Sequence, residues 1–80
     1  MIHLHERYSL RYQSKYDHKL VLPAEGVPAT MLEYLELNVK NDWGWYHENG
    51  LGVISFANER DHIVISLMLN KWEFDLAASY

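Results

Sequence analysis

The 80-residue sequence predicts one α+β domain, with a small antiparallel sheet of about four strands and one or two helices packed on one face. Three observations lead to this fold class. Residues 1–22 alternate with a period of two, Asn49-Gly50 is a hairpin signal, and apolar residues over 30–40 have helical spacing. The domain divides into a basic alternating β arm, residues 1–22, and an α+β core, residues 23–80.

The N-terminal arm has apolar and aromatic residues at even positions and basic residues at odd positions. The even set includes Ile2, Leu4, Tyr8, Leu10, Tyr12, Tyr16, Leu20 and Leu22, and the basic set is Arg7, Arg11, Lys15 and Lys19. A spacing of four residues would also suit a helix. Each such step, however, rotates the side chain by about 40° around the helix axis, so the tyrosines no longer share one face by Tyr16. We therefore favour β structure, either as two strands that break near Ser14 and Lys15 or as one long bent strand.

A helix over about residues 30–40 follows a loop marked by Pro23, Gly26 and Pro28. Thr30 and Glu33 have the spacing of a capping box. One helical face carries Met31, Leu32, Leu35 and Val39.

Asn49-Gly50 predicts a two-residue type I′ turn, because both central residues of that turn need positive φ. The turn sets a register in which paired residue numbers sum to 99, giving the pairs Trp43–Phe56, Trp45–Ile54 and Tyr46–Val53. The face with both tryptophans is assigned to the core. Gly44 and Gly52 should leave the other face open beside Tyr46, for close approach by a partner or a helix.

Residues 62–69 are compatible with a buried strand, because they are rich in β-branched residues. They are also compatible with a helix capped by Asn58, with Glu59 and Asp61 in its first turn, and we favour this helix. In a helix, apolar residues align in two rows, Val64–Met68–Trp72 and Ile63–Leu67, and Ile65 and Leu69 widen the apolar surface beyond one core-facing stripe.

Composition and charge exclude several classes of protein. The chain has no Cys, so it has no disulfide, thiolate zinc site or Cys nucleophile. It shows no signal peptide and no apolar run long enough for a membrane span, so we expect a cytoplasmic protein without a membrane partner. Residues 1–20 carry four basic and two acidic side chains, whereas residues 21–80 carry three and nine. The net charge of −4 is too small for a DNA mimic and has the wrong sign for a general nucleic-acid binder.

Residues with catalytic or metal-binding chemistry are present, but not in a recognisable motif. His3 and His5 could chelate a cation from one strand face, yet no third ligand has a fitting spacing. Asp61-His62 has no nucleophile partner, and none of the serines lies in a Gly-x-Ser-x-Gly sequence. We expect no enzymatic activity, no metal site and no cofactor.

Partner-binding residues are predicted from charge and from a surplus of aromatic rings. Arg7, Arg11, Lys15 and Lys19 would project together from the arm, where they suit an acidic patch on another protein or on a second copy in a homodimer. A thin core cannot easily bury eleven aromatic rings, so Tyr46, Trp72 and Phe74 are further candidates. For Trp72 and Phe74, closing the far end of the core is an equally good alternative. Nucleic-acid binding through the same basic face is the alternative, less favoured because the remaining chain is acidic.

From His18 onward, the order of strand, helix, Trp-Gly-Trp hairpin and final helix resembles a class of small phage-encoded accessory proteins. The positions that carry the resemblance are Trp43, Gly44, Trp45, Phe56, Asn58 and Asp61, and it covers about 55 of the 80 residues. The sequence departs from that class in its basic arm, residues 2–17, and in having His62. The resemblance implies a non-catalytic, anti-CRISPR-like inhibitor that occupies a site on a host enzyme or defence complex in the host cytoplasm, and it names no target.

Overall fold

The computed structural model describes residues 7–72, which form an α+β fold. The elements in chain order are α1 (Tyr12–Lys15), β1 (His18–Val21), α2 (Ala29–Asn38), β2 (Trp43–Glu48), β3 (Leu51–Phe56) and α3 (Glu59–Leu67). A 3-10 turn, Leu69–Lys71, follows α3. The predicted fold class is thus confirmed in its coarse form.

The described residues form three strands in the order β1-β3-β2, with both pairings antiparallel. The fourth strand that the sequence predicted is not found among them. β3 lies in the centre, since it continues the hairpin from β2 and also pairs with β1. An isolated bridge joins Tyr8 to Trp45 on the outer side of β2.

The Asn-Gly turn and its register are confirmed. Asn49 and Gly50 have φ angles of 54° and 76°, the positive values that the type I′ turn requires. The pairs Trp43–Phe56, Trp45–Ile54 and Tyr46–Val53 form as predicted. Both tryptophans are buried in the larger core cluster together with Ile54 and Phe56.

The β prediction for the N-terminal arm is wrong over residues 12–15, which form the short helix α1. Residues four positions apart lie on one face of a strand and also on one face of a helix, so the spacing of the tyrosines fits both structures. Tyr12 is buried, and its ring lies over Gly44, where an added Cβ would come within 2.1 Å of the ring. The alternation holds in β1 and just after it, where Leu20 and Leu22 are buried and Val21 is exposed.

The predicted helix over 30–40 is confirmed as α2, but its capping box is wrong. The N-cap is Pro28, with no hydrogen bond from a side chain, and Thr30 lies inside the first turn. The Pro28 carbonyl accepts from the Leu32 amide. Met31, Leu32 and Leu35 are buried, so the predicted apolar face does contact the core.

The last predicted element is a helix and not a strand. Asn58 caps α3, and its Oδ1 accepts from the amides of Arg60 at 2.8 Å and Asp61 at 3.3 Å. Glu59 and Asp61 lie in the first turn, as expected from the helix dipole. The α-helix ends at Leu67, before the 3-10 turn.

The sheet is covered on both faces, whereas the sequence predicted helices on one. One face carries the larger cluster, to which α2 and α3 contribute Met31, Leu32, Leu35 and Ile65. The other face carries a smaller cluster of Tyr12, Tyr46 and Val53, with Tyr16 packed against it. Helix α1 therefore occupies the face that the sequence analysis left open.

Candidate functional site

The four basic residues predicted as one binding surface have separate environments. Arg7 is half-buried, and its Nε donates to Glu36 Oε2 at 2.6 Å while its Nη1 donates to Asp42 Oδ1 at 3.1 Å and to the Trp43 carbonyl at 2.8 Å. Its guanidinium lies 4.7 Å from the centroid of a Trp43 ring. Burial by itself would lower the pKa of Arg7, but Glu36 and then Asp42 raise it above its ordinary value. Arg7 thus joins the N-terminal segment to α2 and β2.

Lys15 and Tyr16 also converge on Asp42. Lys15 Nζ lies 3.2 Å from Asp42 Oδ2, and the Tyr16 hydroxyl donates to the same oxygen. Burial alone would raise the pKa of Asp42, but the hydrogen bonds from Tyr16 and Lys15 lower it below its ordinary value. The positive charge of the N-terminal segment is therefore partly balanced by carboxylates of the acidic part of the chain.

Arg11 and Lys19, the other two predicted cations, have no carboxylate partner among the described residues. Arg11 is exposed and donates to the Tyr12 hydroxyl at 3.1 Å. Lys19 donates to the Gln13 carbonyl. The structure thus does not bring the four cations onto one strand face, because α1 turns the chain between Arg11 and Lys19.

Tyr46 lies inside the smaller core cluster and is fully buried. The space predicted beside it at Gly44 is filled by a helix, one of the two predicted occupants, because Tyr12 of α1 lies over Gly44. Gly52 lies on the opposite face of the sheet, where the Gly26–Val27 segment is 3.1 Å from a Cβ built at Gly52. The Tyr46 hydroxyl has no hydrogen-bond partner among the described residues. Burial, followed by the nearby charge of Glu48, raises its pKa above the ordinary value.

Trp72 is buried and closes one end of the larger core cluster. Its ring meets Tyr34 edge to face, with centroids 5.4 Å apart. Because Trp72 and Tyr46 are both buried, neither ring is available on the surface for the predicted partner contact. The remaining predicted contact, Phe74, lies outside the described residues, as do His3 and His5.

An exposed apolar surface that sequence reasoning missed is the outer face of α3, formed by Ile63, Val64 and Leu67. Their exposed fractions are 49%, 45% and 79%, whereas Ile65 on the same helix is 2% exposed. Consecutive helical residues are rotated by about 100°, so Ile63 and Leu67 both lie within about 20° of the pole opposite Ile65. Ile63 and Leu67 are therefore on the solvent side, and the buried residue of the helix is Ile65. The row through Val64 leaves the surface after Val64, because Met68 packs against the larger core cluster and Trp72 is buried in it.

A shallow groove of about 290 Å³ runs beside this face, between α2 and α3. Tyr34, Val39, Val64 and Ile65 give it apolar walls, and Asn38, Arg60 and Asp61 give it polar ones. At one end of α3, Asn41 Nδ2 donates to Asp61 Oδ2 at 3.1 Å. The outer face of α3 is thus continuous with a partly apolar groove, through Val64.

Within residues 7–72, no group of three or more His, Cys, Asp or Glu side chains could hold a metal ion. No helix in this described part is long and apolar enough to cross a membrane.

Comparison with protein families, with curated proteins and with solved structures found no match to the chain.

Proposed function

We propose that the chain is a non-catalytic protein-binding module that contacts its partner through the outer face of α3, formed by Ile63, Val64 and Leu67. The observation that carries the proposal is the exposure of these three large aliphatic side chains next to one another on a nine-residue helix. Contiguous exposed apolar surface is typical of protein interfaces.

The class of partner comes from the resemblance to small phage accessory proteins. On this proposal the chain occupies a surface of a host enzyme or defence complex and blocks it sterically, without chemistry of its own. The Trp-Gly-Trp hairpin then has a structural role, since Trp43 and Trp45 are buried in the core against which Ile65 of α3 packs. The core supports α3, and α3 contacts the partner.

Nucleic-acid binding is less favoured by the environments of the basic residues. Two of the four cations, Arg7 and Lys15, are bound to Glu36 and Asp42. A phosphate would have to compete with these carboxylates for both cations. The exposed aliphatic face of α3 has no counterpart in phosphate recognition, which uses cations, hydroxyls and backbone amides.

The test is affinity capture with matched leucine variants. A tagged chain is used as bait in a bacterial lysate, and retained proteins are identified by mass spectrometry. Leu67→Asp places a charge on the outer face of α3, and Leu37→Asp makes the same change at an exposed leucine of α2, where 65% of the side chain is accessible.

We expect a specific lysate protein to be retained by the parent and by Leu37→Asp and lost with Leu67→Asp. Burying an uncompensated carboxylate against an apolar partner should weaken binding at least tenfold. The proposal is wrong if the parent retains nothing specific, or if both aspartate variants retain the same proteins as the parent.

A further inference from the structure

We propose that the outer edge of β1 is a docking site for an extended segment of another protein, which adds to the sheet as a further strand. Lys19 and Val21 carry this site, and neither belongs to the outer face of α3. The inference therefore goes beyond the proposed function and does not depend on it.

The two edges of the sheet differ in how they are covered. β2 forms one edge, where the Ser9 amide donates to the Trp45 carbonyl at 3.1 Å and Tyr8 forms its bridge to the same residue. β1 forms the other edge, and within residues 7–72 it pairs with β3 alone. An uncovered strand edge can pair with the backbone of another chain.

Four backbone groups point outward from the edge of β1. The Leu22 amide, in the same ladder, donates to the Gly52 carbonyl of β3 at 2.9 Å. Backbone groups of successive residues point to opposite sides of a strand, so the even-numbered residues face β3 while Lys19 and Val21 face outward. Their amides and carbonyls have no hydrogen-bond partner among the described residues. An extended backbone offers donors and acceptors at the matching spacing, so the edge is complementary to a strand.

The side chains of the same two residues indicate the composition of the incoming strand. Val21 is 56% exposed, and an aliphatic residue opposite it would cover it. Lys19 donates to the Gln13 carbonyl but has no carboxylate partner among the described residues, so an acidic residue opposite it supplies a counter-charge. Both border a depression of about 200 Å³ that extends over Val53 and Tyr46. The expected segment thus has an acidic and an aliphatic residue two positions apart.

A second copy of β1 does not meet this requirement. Antiparallel pairing of two β1 strands that uses all four outward groups sets Lys19 against Val21 of the second copy. Neither lysine then gains a carboxylate, and each valine lies opposite a charge. The charge at the edge therefore favours a segment of a different protein.

Amide hydrogen exchange of the full chain, followed by NMR, tests whether the edge is free. The amides of Lys19 and Val21 should exchange at least about tenfold faster than those of Leu20 and Leu22, which face β3. Equal protection of all four amides at every protein concentration would mean that another segment of the same chain covers the edge. Protection of Lys19 and Val21 that rises with concentration would mean that a second copy covers it. Either result overturns the inference.

A displayed library of random linear peptides, selected on the immobilised full chain, tests the chemistry of the occupant. We expect the enriched peptides to have an acidic and an aliphatic residue two positions apart and to bind with a Kd in the micromolar to millimolar range. A synthetic copy of an enriched peptide should slow the exchange of the Lys19 and Val21 amides. The inference is wrong if no peptide is enriched, or if none of the enriched peptides protects these two amides.

Val21→Pro and Val21→Thr form a matched pair of variants. Proline is tolerated where the amide of an edge strand faces solvent, so Val21→Pro removes one outward donor and leaves the ladder to β3 in place. It should raise the Kd of the selected peptide at least about tenfold, whereas Val21→Thr keeps the amide and should change the Kd less than about threefold. Continued protection of the Leu22 amide shows that each variant is folded.

N-methylation of the peptide gives a test that leaves the protein unchanged. Methylation of the alternate amides that face β1 should abolish binding, and methylation of the intervening amides should change the Kd less than about threefold. Equal effects of the two patterns, or unchanged binding to a folded Val21→Pro variant, would overturn the inference. A peptide lost with Leu67→Asp and retained by Val21→Pro would overturn it and support the proposed function. A peptide lost with Val21→Pro and retained by Leu67→Asp supports it, even if the lysate capture fails.

Discussion

Gly44→Ala tests the unexpected position of α1 on the second face of the sheet. An alanine Cβ at this position would lie 2.1 Å from two ring atoms of Tyr12 and 2.4 Å from a third. The ring would have to move by more than 1 Å to reach an ordinary contact of 3.4 Å. Tyr12 is only 2% exposed, so this movement costs packing.

Overfilling a packed site costs about 1–3 kcal/mol, and complete loss of a buried aromatic side chain about 3–5 kcal/mol. Tyr12 is attached to a single helical turn that can move outward, so we expect Gly44→Ala to lower the free energy of unfolding by about 2 kcal/mol. Urea unfolding followed by tryptophan fluorescence measures this value.

A double-mutant cycle identifies the cause of the loss. With Tyr12→Ala already in place, Gly44→Ala should cost less than about 0.5 kcal/mol, giving a coupling energy of about 1.5 kcal/mol. Gly52→Ala is the control, because its Cβ would meet Gly26 and Val27 and its cost should be independent of Tyr12. Equal costs of Gly44→Ala in both backgrounds would refute the packing of Tyr12 on Gly44.

Two further predictions concern groups whose pKa the fold shifts. The pKa of Asp42 is lowered in the folded chain, so the carboxylate contributes stability that is present above the ordinary aspartate pKa, about 3.9, and is lost as the pH falls through the lower folded value. Asp42→Asn should therefore be less stable than the parent at pH 7, and it should lose less stability when the pH is lowered from 5 to 2. Urea midpoints measured at each pH test this, and parallel curves of stability against pH for the two proteins would contradict it. Tyr46→Phe removes a buried hydroxyl that has no partner among the described residues, and it should raise the free energy of unfolding by about 1 kcal/mol, whereas a loss of that size would show that the hydroxyl is hydrogen-bonded.

Local signals in the sequence correctly predicted the β2–β3 hairpin and the start of helix α3. Asn49-Gly50 determines its turn through the φ angles of two residues, and the register of six residue pairs follows from the length of that turn. The cap at Asn58 is equally local, because its side chain satisfies amides two and three residues ahead. Such features depend on neighbours in the chain, so a single sequence contains the information for them.

The N-terminal segment was predicted wrongly because its structure depends on distant residues. Tyr12 and Tyr16 fit a strand face and a helix face equally, and the choice is made by the space over Gly44, which lies about thirty residues further along the chain. The prediction of one basic surface was wrong for a similar reason. The odd-numbered cations share a face only in a continuous strand, and two of them, Arg7 and Lys15, pair with Glu36 and Asp42. Neither pairing leaves a signal in the local sequence.

Helix α3 shows how a prediction can identify the correct element and leave open which of its sides contacts the core. Its apolar residues cover more than half of the circumference, so periodicity alone cannot say whether Ile65 or the Ile63–Leu67 row contacts the core. The structure settles this by burying Ile65 and exposing the row. The surplus that blurred the prediction is the basis of the proposed interface, because α3 buries one aliphatic residue, Ile65, and exposes three more. Since two of the four predicted cations, Arg7 and Lys15, are paired with carboxylates within the fold, the proposal rests on this aliphatic face and not on the basic residues.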